Sequence, residues 1–416
     1  MSKIIDKKIS AGILPLTLSI SLILALFCMA AILLAYYSNL LWIQAKNSYR
    51  VELNAQSALE YVLNNKISSI PLNSSFSTDL FHQGRDSVTI SKRAWGIYNL
   101  LSIEAYSNKI RHNTNQLIGY AGVQNNLALY VCNSSPTALT LAGATEINGN
   151  AWLPSKGIKA GTYNRIGYSG SSLVAGETYR SESKLPTLDD NINPKLQQVY
   201  DLLGTKIEQV KEVPKAMENS FHNQMKILYS QESILLQSQL KGNIAVVSAS
   251  EIEIDPSSNL DNIILVAPAI KFKPGFKGCV QAFADKFINL ASGVKLLYPS
   301  ALITNSTKDS QINISENVVF QGVIYQSGDT KLNPSIFISS GSRIEGQVIT
   351  HGSIEHHGIV YGQILCNSFE INDNSGLHIN YLFNAVVDRF SLPETYLFPG
   401  ILASDIQYPE IITRLQ

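Results

Sequence analysis

Between Lys8 and Lys46 the chain carries no charged side chain, and the centre of that gap, Ile13 to Tyr37, reads ILPLTLSISLILALFCMAAILLAYY. A helix of about 20 apolar residues crosses a bilayer, so the spacing predicts a transmembrane helix over 11–37, with the lipid bilayer as its partner. Lys3, Lys7 and Lys8 precede it, and Tyr36, Tyr37 and Trp42 follow it at the level of the membrane interface. This flank places residues 1–10 in the cytoplasm and everything after residue 40 outside it. A cleaved signal peptide has an apolar region of only ~7–15 residues ending in a small-residue cleavage site. Here the apolar run continues past every such site, and Phe27 before Cys28 is too bulky for a lipoprotein site. The expectation is a retained single-pass anchor.

The chain does not turn on leaving the membrane. Leu40 to Asn65 contains no Gly or Pro, and Val51, Ala55, Ala58, Leu59 and Val62 fall on one helical face. A stalk helix over 38–66 is expected to continue from the anchor and use that face to bind a partner. A long apolar helix running on through Glu52-Leu53-Asn54-Ala55-Gln56-Ser57-Ala58-Leu59-Glu60-Tyr61 resembles the stalk of pilin-like proteins, especially minor pilins and pseudopilins. Strand-like stretches at Ser87 to Ser91 and Trp95 to Tyr106 fall where that family places a small antiparallel sheet, giving a small α/β region over 67–128. The resemblance implies pilin-like or secretion-assembly partners and a bacterial inner membrane with the bulk of the chain facing the periplasm. Ala11-Gly12-Ile13-Leu14-Pro15-Leu16-Thr17 has neither the aromatic nor the acid of the family's processing site. An ordinary anchor with a helical stalk is the alternative.

The second half repeats. Ile252, Ile270 and Ile288 are 18 residues apart, and so are Ile254, Phe272 and Leu290. Val247, Leu265 and Phe283 form a third column, Val246, Ile264 and Ala282 a fourth, and Ser248, Val266 and Ala284 a fifth. Turn residues separate them: Asp255-Pro256-Ser257, Pro274-Gly275 and Ser292-Gly293. Period-two alternation with Pro and Gly breaks predicts short strands rather than helices. One coil cannot bury its apolar face alone, whereas a stack of coils can. The fold class is therefore a membrane-anchored α+β chain whose larger part is a parallel β-solenoid.

Gly322, Gly346 and Gly362 each open a strand with the same Gly-x-apolar-apolar start, and an earlier version of the pattern begins at Leu139. The repeated glycines resemble the β-helical core of bactofilin-type polymer-forming proteins, in pattern only. The expected order is a first solenoid piece over 129–184, a helical insertion over 185–240, or a helical cap on an open solenoid end, with helices after Asn193-Pro194 and from Phe221 to Leu240, the main solenoid over 241–390, and a tail over 391–416 that covers the last coil.

Thirty-two basic and thirty-two acidic side chains give zero net charge, which removes the basic surface that nucleic-acid binding needs. The four cysteines, Cys28, Cys132, Cys279 and Cys366, have no metal-ligand spacing. They read as small buried hydrophobes, with one disulfide among the last three as the alternative. His351, Glu355, His356 and His357 are the one concentrated metal-capable group, but lack the helical His-Glu-x-x-His spacing. Ser238-Gln-Leu-Lys241 satisfies S-x-x-K without its Ser-Asp-Asn and Lys-Thr-Gly companions. Asp189-Asp190 suits a helix start.

No catalytic, cofactor or metal residues are assigned, and the expected role is structural rather than enzymatic. The alternative is a tethered carbohydrate-binding or carbohydrate-cleaving β-helix, with Tyr298, Tyr325 and Tyr361 as sugar platforms and Asp285 and Glu345 as acids. A self-polymerising scaffold is a third reading.

Overall fold

The computed structural model describes residues 13–65, 70–81, 84, 86–107, 110–121, 126–134, 137–204, 212–305, 310–327, 334–374, 376–403 and 408–415. The cytoplasmic N-terminal segment expected over 1–10 lies outside them.

Helix α1, Ile13–Asn65, is unbroken over 53 residues. Pro15 sits in its first turn, where a missing N–H costs nothing, and no Gly or Pro follows within the helix. Exposure changes abruptly along it. Every residue from Ile13 to Lys46 is exposed, whereas Val51, Asn54, Ala55, Ala58 and Val62 are buried at helical spacing. Anchor and stalk are one element.

The chain forms two compact units. The first contains α1 up to Leu59 with residues 77–89 and 104–113; the second contains 60–76, 90–103 and 114–416. In the first unit, Arg50 bonds Asp86 at 2.5 Å and Asn54 donates to the same carboxylate at 3.1 Å, while Val88 is buried.

The second unit is built on the parallel solenoid. Glu251–Ile254 registers against Ala269–Phe272, with Ile252 on Ile270 and Ile254 on Phe272. The next rung sets Ile288 and Leu290 on those two residues. These side chains line a continuous apolar interior with Leu265, Ala282, Leu302, Ile324, Val348 and Ile364.

The glycines stack as well: Gly322 on Ser300, Gly346 on Gly322 and Gly362 on Gly346. All three have φ between +139° and +147°, and a Cβ on any of them would lie 1.8–1.9 Å from the carbonyl oxygen of the rung before. Only glycine admits that backbone approach.

Four expectations are corrected. First, the columns through Val247, Val246 and Ser248 slip by one residue at the middle coil. Val247 pairs with Val266, not Leu265, and Val246 pairs with Leu265. The register shifts just before, where Asn262 adopts a left-handed φ of 58°. A one-residue slip exchanges the faces, so Leu265 is interior while Val247, Val266 and Phe283 face outward under a second apolar layer.

Second, 221–240 is not helical. It forms strands Lys226–Ser230 and Ile234–Leu236, the latter with Ile234 on Ile252 and Leu236 on Ile254. Within these two strands Leu228, Ile234 and Leu236 are buried, a period-two set that the interior captures. Among the described residues the helical insertion reduces to α2, Ile192–Tyr200, and a 3-10 turn, Asp201–Leu203.

Third, the two solenoid pieces are one stack, joined out of chain order. Leu127–Val131 pairs with Ile359–Cys366, Asn150–Leu153 pairs with Leu127–Val131, and Thr178–Arg180 pairs with Asn150–Leu153. Residues 127–180 therefore extend the end at which the main solenoid finishes. Fourth, the tail does not cover the last coil. Tyr396 packs against Tyr298 with ring centroids 5.0 Å apart and donates to Gly322 O at 2.8 Å, and Tyr408–Leu415 pairs antiparallel with residues 115–121.

Candidate interaction surfaces

One outer column of the solenoid is apolar from end to end. Tyr229, Val247, Val266, Phe283, Ile303, Tyr325, Ile349, Leu365, Tyr130, Trp152 and Tyr179 follow one another in register. Its middle is covered by Ile192, Leu196 and Val199 of α2, by Trp95, Ile97 and Leu117, and by Ile401 and Leu415. Polar clamps fix this layer. The buried Gln281 accepts the Ile97 N–H at 2.9 Å and donates to Trp95 O at 3.1 Å. Gly96 between them has φ +59°, and a Cβ there would meet the Gln281 side chain at 2.0 Å. From α2, the buried Lys195 donates to Ile97 O at 3.0 Å. Burial lowers its pKa to about 7, with Asp189 opposing and Lys92 reinforcing the shift.

The stalk residues expected to bind a partner are placed otherwise. Val51, Ala55, Ala58 and Val62 are buried in this chain's own fold and Leu59 is half-buried. The periodicity marked a core face rather than a free one. Glu52, Leu53, Gln56 and Glu60 form the exposed face. The surface that lacks cover is the apolar stretch Ile13 to Ile43, where Leu14, Phe27 and Leu34 are more than 70% exposed.

The residues weighed for sugar chemistry do not assemble. Tyr325 is buried and Tyr298 is tied to Leu397 O at 2.8 Å, so neither offers a ring face; Tyr361 is half-buried. Glu345 accepts from Gln321 at 2.7 Å and pairs with Arg343 at 3.1 Å, in register with Tyr361. Asp285 lies at a different corner of the coil, between Ala284 and Phe287, its pKa raised by burial and partly offset by Lys286.

An open groove of about 770 Å³ runs across the first rungs, lined by Glu218, Lys241, Asp261, Lys277 and Leu297. Its charges alternate in register, Glu218 on Lys241 and Lys241 on Asp261.

The histidine group separates too. His356 is buried, with Nε2 3.2 Å from Val386 O, and desolvation lowers its pKa to about 4. His357 instead bonds Glu355 at 3.1 Å and Phe383 O at 3.3 Å. Ser238 is buried while Lys241 is exposed beside Glu218. Asp189 accepts the Asn191 N–H at 2.9 Å at the start of α2. All four cysteines are free; Cys132, Cys279 and Cys366 are buried and their thiol pKa values are raised by desolvation.

No protein-family model matches the chain, and no curated protein matches it. Among solved structures, the chain is similar to the competence-associated pilin ComZ from Thermus thermophilus, at 10% identity and a TM-score of 0.25, over 89% of this chain and 98% of that one. A likeness at that level is too slight to carry weight.

Proposed function

We propose that this chain is a non-enzymatic, single-pass membrane protein of the bacterial envelope, a structural or accessory component of a pilin-related or secretion-type assembly. Helix α1 anchors it, and the solenoid is displayed on the extracytoplasmic side. The observation that carries this reading is the exposure boundary within one unbroken helix. Residues 13–46 have no cover of their own, while the same helix is buried at helical spacing from Val51 onward. An exposed apolar surface of that size belongs in lipid or against other apolar helices.

The separation of Asp285 from Glu345 supports a non-enzymatic role, because glycoside cleavage needs two carboxylates flanking one bond. The test is cross-linking in native membranes from photo-reactive residues at Leu24 and Leu53. Adducts with lipid or partner helices from Leu24, and with an assembly protein from Leu53, are expected. A carbonate-extractable chain without adducts would reject the reading.

A further inference from the structure

Residues 155–184 form the last coil of the stack, and Thr178–Arg180 is the strand that continues the rung of Asn150–Leu153. That strand registers against Ala151–Leu153 along one edge. Ala151 donates to Glu177 O at 2.9 Å and Ser181 donates to Leu153 O at 2.8 Å. By strand alternation, the N–H and C=O groups of Thr178 and Arg180 point the other way. Thr178, Tyr179 and Arg180 are all exposed, and among the described residues no strand pairs with that second edge. An open edge is a template for another strand.

Side-chain placement restricts what can pair there. Ala151 and Leu153 belong to the interior, so Thr178 and Arg180 hold the inward positions of the terminal rung. An apolar strand laid on it would bury the Arg180 guanidinium without a counter-charge, which is costly. A second copy fares no better. Followed rung by rung, the Arg180 column passes Leu153, Cys366, Gln326 and Ala284 and ends at Ser230 on the opposite end of the stack. A copy stacked in continuous register would set Ser230 over Arg180 and bring its own Lys226 into the junction. The nearest carboxylate of that end, Glu232, lies past the end of the strand Lys226–Ser230 and so beside the junction rather than over Arg180.

The surrounding charge points the same way. Lys156, Lys159, Arg165, Arg180 and Lys184 outnumber Glu177 and Glu182 in this coil, in a chain whose net charge is zero. All five basic residues are exposed. On the outward side, Tyr179 stacks on Trp152 at 4.6 Å and 24°, ending the apolar column with an uncovered ring.

We propose that this edge docks an extended acidic segment of another protein, added as a further strand with a carboxylate opposite Arg180 and an apolar side chain against Tyr179. Backbone pairing supplies affinity, and the carboxylate supplies selectivity against apolar strands and against self-stacking.

The test uses full-length protein in detergent with three labelled probes, followed by fluorescence anisotropy. The probes are a β-prone peptide of alternating Glu and Val, its Lys-for-Glu counterpart, and a single-stranded oligonucleotide. The Glu peptide should bind at least about tenfold more tightly than the Lys peptide. R180E should reverse that preference. T178P, which removes an outward N–H, should abolish binding while leaving the far-ultraviolet circular dichroism unchanged. If T178P does not fold, R180E alone decides. The proposal fails if no peptide binds, or if R180E leaves the preference intact. It fails equally if a folded T178P still binds, or if the oligonucleotide binds as tightly as the Glu peptide, which would mark a general polyanion patch.

Discussion

Replacing Gly346 with alanine should be far more damaging than replacing Gly275, although both residues have positive φ, +139° and +82°. At Gly275 a Cβ would meet nothing within 4 Å, so the cost is that of a strained backbone alone, about 1 kcal/mol. At Gly346 the same atom would lie 1.9 Å from Gly322 O and 2.3 Å from the Tyr396 hydroxyl. A carbon–oxygen contact needs more than 3 Å, so two rungs would have to part by about 1 Å out of a spacing of roughly 4.8 Å. Because Gly322 and Gly362 are stacked directly on either side, the displacement has nowhere to dissipate. Loss of the Tyr396 bond to Gly322 O adds to the overpacking, and together they should cost about 3–5 kcal/mol. Coil stacks need not unfold in one step, so native-state hydrogen exchange is the suitable assay. G346A should lose protection over 319–326, 343–350 and 359–366, and G275A should leave those strands unchanged. Equal loss in the two variants would refute the reasoning that close backbone approach, rather than φ, fixes this seam.

Further expectations follow from single side chains. Asp86 is held below its usual range, its partial desolvation outweighed by Ser107, Arg50 and Asn54. Its contribution is therefore complete above the unfolded carboxylate range and lost as pH falls through the depressed native value, and D86N should cost about 2 kcal/mol and expose 77–89 to protease. His356, with a native pKa of about 4 against 6.5 unfolded, stays neutral where the unfolded chain protonates. Solenoid stability should thus fall between pH 6.5 and 4, and a thermal-melt series of H356F should lack that slope. Lys195, at about 7 against 10.5, should make the protein more stable as pH rises from 7 to 10, on the order of 1 kcal/mol per pH unit at most. K195M should abolish that dependence in denaturant titrations.

Local chemistry made much of this fold legible. The uncharged run and the absence of Gly and Pro after Pro15 specify α1, and the Ile-x-Ile spacing with its Pro and Gly breaks specifies stacked coils. The seam through Gly322, Gly346 and Gly362 was visible for the same reason, since it depends on backbone geometry that only one residue type tolerates. What periodicity cannot convey is which distant segment lies next to which. Register shifts at Asn262 and again between Ala267 and Ala269 move the faces without interrupting the apolar pattern, so the 18-residue spacing sets Val247 against Leu265. The coil that follows Ile359–Cys366 comes from residues 127–131, earlier in the chain, because any rung with the right inward residues can stack on any other. The face Val51–Ala55–Ala58 was recognised as apolar, yet its burial within this chain depends on non-local packing that no local signal records. Arg180 and Tyr179 carry no motif, and their terminal position becomes apparent only once the rungs are ordered.

The central claim is that α1 holds a display solenoid within an envelope assembly. Its most direct test is affinity isolation of the full-length protein from detergent-solubilised native membranes, with mass spectrometry of the N-terminus and of everything that co-purifies. The account predicts recovery from the membrane fraction together with pilin-like or secretion-assembly proteins. Recovery of the chain alone, or from the soluble fraction, would contradict it.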